Sequence, residues 1–518
     1  MSQQPLSSLP RRGLASTLWS AFTSALYLAW TALVVVAPVA AAWVASSLAA
    51  HSGGSIRAAA ASGLLVFPLL PVAWEAVSSW RRARKAKTAK RFLTLTDRMV
   101  LRTLAVSLTF LGALMARDPQ RVFVALNARG DWMLDGHHEA RAESARRAVF
   151  WLASKSEWLY RLTDDNPFHE DSRSRPRPQP VVDRVVARTE TDTNPTPSPT
   201  PTPTPTPPVT DTTPTPPVAD TTPTPPVADS HAWPWRGELH AAVREMTPEV
   251  ETSPRAVGLY LASRESDPWK LARAVHDYVA DRVAYDVDSY RSGVYPPQDA
   301  DTTFRSRKSV CAGYAALFEA VGRAAGLEVE TVVGRARGMV ATGMGEGHAW
   351  SAVKLGGRWH LIDTTWDAGY VSADGFHKRY GTMYFLTPPE AFVTRHFPDE
   401  PRWQLLDAPR SPGEFMRAPA LDPEFFAYGL HLVSPDRAES DARGAVEVVI
   451  DNPRRIALMV DVGVSGDRQG TRCTVSEEAR VTARCPLNGA DLHEVMILAS
   501  PQRYGTYWSV GSLRVHNR

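Results

Sequence analysis

Three cysteines are spread over 518 residues, and Cys311 stands near the head of the apolar run "SVCAGYAALFEAVGRAAG" (309–326). Tyr314, Leu317, Phe318 and Val321 recur at i, i+3, i+4 and i+7, a spacing that predicts a helix buried along one face. Ser309 is placed to cap its start and Gly326 to end it. A thiol in the first turn of a helix faces unpaired backbone N–H groups and the positive end of the helix dipole, which favour the thiolate. The chemistry on offer is nucleophilic attack on a carbonyl, and such a thiol needs a base and a group to orient that base.

Downstream, "GHAWSAVKLGGRWHLIDTTW" (347–366) holds two alternating runs around Gly356 and Gly357, which predicts a hairpin with a two-residue turn. In that register Leu355 faces Arg358, Trp350 faces Asp363 and His348 faces Thr365. His348 and Asp363 then share one face as diagonal neighbours, at the roughly 7–8 Å spacing that long side chains bridge. A hydrogen bond between them would fix the imidazole tautomer and leave its other nitrogen for the thiol. His360 falls on the opposite face. Taken singly, Cys311 reads as a packed small residue, His348 as structural and "DTTW" as a turn; the order Cys, His, Asp on helix, strand, strand is what points to a triad.

The elements that must position these residues lie in a unit of mixed pattern. "DPWKLARAVHDYVADRVAY" reads as an amphipathic helix with Leu271, Val275, Tyr278 and Val279 inward, and "LEVETVVG" reads as a strand. The glycine-rich "GMVATGMGEG" (338–347) lacks the Lys-Ser/Thr pair of a phosphate loop and reads as a loop bordering the cleft. From about residue 430 the chain turns β-rich, with "GAVEVVID", "IALMVDVGV", "TRCTVS", "ARVTARC", "LHEVMILA" and "YWSVGSLRV" as short strands, the pattern of a β-sandwich-like unit. Pairing "TRCTVS" with "ARVTARC" brings Cys473 and Cys485 close enough for a disulfide; two separate buried thiols are the alternative.

Between 172 and 232 the composition shifts to Pro and Thr, with "DTTPTPPVA" at 211 and again at 220. Such sequence buries no core and favours extended polyproline II, so it reads as a disordered stalk. At the other end, residues 13–56 carry no Asp, Glu, Lys or Arg and are longer than the roughly 20 residues a bilayer span needs. Further spans are expected at 58–80 and, with Arg102 snorkelling to the interface, at 100–116. Two or three transmembrane helices are therefore expected. The run "RRARKAKTAKR" (81–91) holds seven cations and no acid and belongs on the cytoplasmic side, which with three spans puts everything beyond about 117 outside; an interfacial third helix, or a first span broken into two near Pro38, reverses the side. The domain reading is 1–117 membrane region, 118–171 juxtamembrane helical segment, 172–232 stalk, 233–430 catalytic domain and 431–518 β-rich domain.

The 58 Lys and Arg against 55 Asp and Glu leave a net charge of +3 without a basic stripe interleaved with aromatics, so nucleic acid is not an expected partner. Neither a cofactor nor a metal is expected.

"SVCAGYA", "GHAWSAV" and "WHLIDTTW" resemble the three core motifs of the transglutaminase-like superfamily of papain-type thiol enzymes. "MYFLTPPEAFVTRHFPDEPRWQLL" (383–406) and "SPGEFMRAPALDPEFFAYGL" (411–430) are similar to the region that follows the catalytic core in kyphoscoliosis peptidase-like proteins. The resemblance covers roughly 255–430. It implies an α+β fold with the cysteine helix packed on an antiparallel sheet, and it implies Cys311 as nucleophile, His348 as base and Asp363 as orienting acid. By the same likeness Gln298 is a candidate oxyanion donor, and Trp350 and Trp366 either wall the cleft or pack the hairpin. Ala312 departs from relatives that often carry an acid or amide there. The expected activity is attack on amide bonds of protein or peptide substrates through a thioester, most readily as a peptidase or amidase. A protein cross-linking acyltransferase and a non-catalytic binding module on the same fold are the alternatives. The expected location is the cytoplasmic membrane with the catalytic domain outside.

Overall fold

In a computed structural model of the protein, which describes residues 14–84, 92–137, 139–162, 166–168, 232–338, 343–464, 470–476 and 478–518, the first uncharged run is one helix, Leu14–His51, continuous through Pro38. The predicted stalk up to residue 231 and most of the basic run lie outside the described residues, as do residues 339–342 of the loop at 338–347. A second long helix runs from Ile56 to Arg84 with a widened turn at Leu65–Leu69 around Pro68, and a third, Leu95–Arg117, starts at a capping box made by Thr94 and Asp97. All three are long and apolar enough to cross a membrane. Arg102, together with Arg98 and Arg82, pairs with Glu75 of the second helix. A charge among apolar neighbours is costly unless partnered, and Glu75 supplies that partner.

Three shorter helices, Pro119–Arg129, Ala140–Ser154 and Glu157–Leu162, follow. Their apolar faces, with Phe123, Phe150 and Tyr160, share one cluster with Val44 of the first long helix and with Phe397 and Phe415.

The unit that carries Cys311, His348 and Asp363 is built on two helices and one sheet. Pro268–Arg282, capped by Asp267, buries Leu271, Val275, Tyr278 and Val279, and Cys311–Ala324 buries the predicted stripe of Tyr314, Leu317, Phe318 and Val321; both share one core with Val329, Val353, Ile362 and Phe385 of the sheet. The sheet is antiparallel, in the order Phe385–Thr387, Arg358–Ile362, Glu346–Leu355, Glu328–Ala336, His396–Pro398. Gly356 and Gly357 have φ of 55° and 78°, the backbone that the tight turn requires and L side chains avoid, and Leu355 pairs with Arg358 as the sequence predicts. The second strand is shorter than expected. It stops at Ile362, and Asp363 caps a short helix, Thr364–Ala368, so Thr365 does not face His348.

In the C-terminal region, His431–Ser434, Ala445–Asp451, Arg480–Pro486 and Thr474–Val475 form one sheet. Trp508–Asn517, Leu492–Ser500, Ala457–Val464 and Thr471–Arg472 belong to another, joined by Ala420–Leu421 and Glu439–Ala442. Val448, Ile450 and Ala483 from the first and Val460, Val495, Ile497 and Leu513 from the second meet in a single apolar cluster. Cys473 sits where the chain passes between sheets, since Arg472 pairs with Asp461 in one and Thr474 with Arg484 in the other. There it forms a disulfide with Cys485, twelve residues on.

Candidate active site

Cys311 is the first residue of its helix, with Val310 rather than Ser309 at the N-cap. Ser309 is taken by other partners: its backbone pairs with Tyr285 in a two-residue parallel strand, and its hydroxyl donates to Gln298 Oε1 at 2.6 Å. The same Gln298 oxygen accepts the Val310 N–H at 3.1 Å, and Gln298 Nε2 donates to the Pro296 carbonyl at 2.8 Å. Gln298 thus fixes the backbone one residue ahead of the thiol. Gly313 lets the helix begin this close to the loop, because a Cβ there would lie 1.8 Å from Ser309 Oγ and 2.3 Å from Thr303 Oγ1. Cys311 itself is buried.

His348, on the Glu346–Leu355 strand, meets Asp363 with Nε2 2.7 Å from Oδ2, and the Cys311 sulfur is close enough to act on its charge. Burial alone would strip the imidazole of its proton, but the Asp363 carboxylate and the sulfur outweigh it and push the His348 pKa up to about 10. Asp363 is buried too, and burial would raise its carboxyl; the paired histidines reverse this and hold it well below the usual carboxylate range. Its other oxygen, Oδ1, accepts the N–H groups of Thr365 at 2.9 Å and Trp366 at 3.2 Å. One carboxylate both caps a helix and orients a base.

A second histidine reaches the same atom. His396 Nε2 lies 3.0 Å from Asp363 Oδ2, its ring stacked on Phe392 at 4.0 Å and 4.4 Å from Trp366. Burial, the largest influence, lowers its pKa to about 4, so it is neutral beside a charged His348. Nothing in "VTRHFPDE" flags it; the edge strand His396–Pro398 delivers it by pairing with Gly334–Ala336. The donor atoms of His348, Asp363 and His396 fall within 4.8 Å of one another, a spacing that suits a cation. Both Nε2 atoms point at the carboxylate, however, so the set is already satisfied by hydrogen bonds that a metal would have to displace.

Trp350 is buried with Val332, Leu361, Phe392 and Trp403, which makes it part of the packing beneath the hairpin. Trp366 is half-buried, 5.5 Å from His348 and under the Arg395 guanidinium at 4.4 Å. His360 packs edge-on against Trp269 at 5.0 Å on the other face of the sheet.

Sequence reading also passed over a second buried cluster. His276 places Nδ1 2.9 Å from Asp277 Oδ1 and Nε2 3.0 Å from Asp367 Oδ2. Asp277 further accepts from Arg273 Nε and Tyr380 Oη, each at 2.6 Å, and from the His240 backbone N–H at 2.7 Å. Asp367 accepts the N–H groups of Met383 and Tyr384, each at 2.9 Å, and the Tyr384 carbonyl accepts the Asp363 N–H at 3.0 Å. This cluster pins the turn that carries Asp363. The signal was two polar residues, His276 and Asp277, inside a helix whose periodicity is otherwise that of a core element.

Residues 255–364 match the family described as the transglutaminase-like superfamily. Kyphoscoliosis peptidase of Mus musculus is 38% identical over 174 residues, 32% of this chain and 26% of that protein, and its Homo sapiens counterpart is 37% identical over the same length and shares. Hillarin of Drosophila melanogaster is 30% identical over 121 residues, 20% of this chain and 15% of that one. The chain spans about a quarter of the length of the kyphoscoliosis peptidases it matches. The cysteine helix and the glycine-turned hairpin thus lie in a domain, residues 255–364, that belongs to the transglutaminase-like superfamily, in its kyphoscoliosis peptidase-like branch.

Proposed function

We propose that this protein is a membrane-anchored cysteine enzyme that cleaves amide bonds of protein or peptide substrates. The observation that carries the reading is His348 held to Asp363 at 2.7 Å through Nε2, with the Cys311 sulfur close enough to act on its charge. In that arrangement the Cys311 thiolate adds to the carbonyl carbon, and the carbonyl electron pair moves to oxygen, where the Cys311 backbone N–H at the helix start receives it. The protonated His348 gives its proton to the leaving amine as the C–N bond breaks, which leaves a thioester on Cys311. Water then adds to the thioester while His348 takes its proton, the C–S bond breaks, and acid and thiolate are released. Gln298 serves the step by fixing Val310, which aims that N–H. The peptidase name of the mouse and human relatives supports water as acceptor. An amine in place of water would make the same intermediate a cross-linking one.

The membrane helices support integral anchoring. The globular part touches the end of the first helix and the turn after it, through Trp132 Nε1 to Ser46 Oγ at 3.0 Å and Arg518 Nη1 to the Gly54 carbonyl at 3.3 Å. That turn is one helix away from the basic run at 81–91, which favours the cytoplasm. The catalytic domain is accordingly assigned to the outer side, where the Cys473–Cys485 bridge is chemically at home. We read the two C-terminal sheets as a β-sandwich appended to the catalytic domain.

The test is mass spectrometry of the full chain incubated with a peptide mixture and quenched in acid. An acyl adduct on Cys311, absent from the denatured protein and from His348→Ala, is the expected result. Lack of any adduct with folded protein and fresh thiol would refute the enzyme reading and leave a binding module.

A further inference from the structure

A nucleophile must meet its substrate, yet Cys311 is 2% exposed. Part of what covers it comes from outside the catalytic unit. Asn166, Pro167 and Phe168 precede the Pro/Thr-rich run, and Asn166 and Phe168 are each 5% exposed against the cleft. Asn166 Nδ2 donates to the Gly334 carbonyl at 2.6 Å, and Gly334 is the cross-strand partner of His348. Asn166 Oδ1 accepts the Phe168 N–H at 3.2 Å, a turn closed by its own side chain with Pro167 at the centre. Gly347, the residue before His348, makes room for it: a Cβ there would stand 2.7 Å from Asn166 Oδ1 and 3.0 Å from Pro167 Cδ. Phe168 then enters one apolar cluster with Val310, Cys311, Ala312, Ala315 and Ala349, its ring 5.7 Å from that of Tyr295.

We infer that Asn166-Pro167-Phe168 is a tethered occupant of the substrate cleft, and that the pocket around Phe168 is a subsite for a large apolar side chain of a peptide substrate. Substrate and tether compete for one place beside Cys311. The inference rests on the proposed role of Cys311, since it takes the covered thiol to be the reacting one. The contact is three residues long, so displacement by a peptide that offers the same side chain is within reach, whereas a polar or small side chain has nothing to gain there.

The test uses the full chain in detergent micelles. With Cys473 and Cys485 bridged, iodoacetamide under non-reducing conditions reads Cys311 alone, followed by intact mass. Phe168→Ala should raise the alkylation rate by about tenfold or more, and Asn166→Ala should raise it by less, each in protein whose thermal melt shows a retained fold. N-acetyl-Asn-Pro-Phe-amide should slow alkylation of Phe168→Ala, and N-acetyl-Asn-Pro-Ala-amide should not. Unchanged rates in both folded variants would overturn the occupant, and equal protection by the two peptides would overturn the apolar subsite. Placing His348→Ala in the Phe168→Ala background separates this inference from the mechanism beneath it. A fall in alkylation rate supports both; a rate that stays high supports the occupant while refuting Cys311 as an activated nucleophile.

Discussion

Two fully buried histidine–carboxylate clusters have their acids four residues apart, at Asp363 and Asp367, and they are wired in opposite senses. Around Asp363 a carboxylate lies between two imidazoles, and the charge of one of these is influenced by the Cys311 sulfur. Around His276 an imidazole lies between two carboxylates, and the remaining acceptors of those carboxylates are filled by Arg273, Tyr380 and backbone N–H groups. The residue types are nearly the same. The difference is that the first set lies beside the Cys311 thiol and the second closes on the scaffold. A closed set of charges can only hold structure, while an open end can move a proton.

Removing the open end should give the largest effect. Cys311→Ala should abolish adduct formation with the fold intact, because a small apolar residue suits the first turn. His348→Ala should lower single-turnover acylation by roughly 10²–10⁴-fold, the range of a positioned general base. Asp363→Asn keeps an oxygen for the helix cap but presents N–H to two histidines that already donate, so the imidazole tautomer is lost; a fall of up to about 10⁴-fold is expected, as for a triad acid. Stopped-flow acylation with a chromogenic thioester-forming substrate measures all three. Equal rates for His348→Ala and the unaltered protein would erase the distinction between the two clusters.

Breaking the closed set should act on stability first. His276→Ala leaves Asp277 and Asp367 buried without the imidazole between them, and loss of one partner from a buried charged set costs about 3–5 kcal/mol. Acylation in the protein that still folds should fall by much less than in His348→Ala, since His276 touches neither thiol nor substrate. Urea unfolding monitored beside acylation decides this, and a stable but inactive His276→Ala would move that cluster into the catalytic machinery.

The His348–Asp363 pair was legible because the glycine turn pinned a register that put the two residues on one face, and Leu355 does pair with Arg358. The strand end was not legible. Asp363 suits an extended strand as well as a helix cap, and the cap prevails because Oδ1 gains two backbone N–H groups. Ser309 was misread as a cap for the converse reason: Gln298, eleven residues earlier, claims its hydroxyl. His396 and Asn166 were invisible for a different cause, since they arrive from 33 residues beyond Asp363 and 168 residues before Gly334, and no local spacing encodes such contacts. The apolar helices were plain from composition, but the pairing of Arg102 with Glu75 required knowing that the second and third helices are neighbours.

The smallest expected effect is the one that tests the Asp363 cluster as a pair of unlike histidines. His396 has a folded pKa near 4 against 6.5 when exposed, so between these values the unfolded chain binds a proton that the folded one refuses. Stability then rises with pH across that window and is lost as pH falls through it. His348 runs the other way: with a folded pKa near 10, its contribution is complete below 6.5 and is lost as pH climbs toward 10. The two together give a stability maximum close to the ordinary histidine pKa, flanked by an acid limb that belongs in part to His396 and an alkaline limb that belongs in part to His348. His396→Gln, which keeps a side-chain N–H for Asp363 but does not titrate, should flatten the acid limb and leave the alkaline one; His348→Gln should do the reverse. Urea midpoints measured from pH 4 to 10 on the three proteins give the answer, and an acid limb of undiminished slope in His396→Gln would show that the two histidines around Asp363 are not held in different charge states.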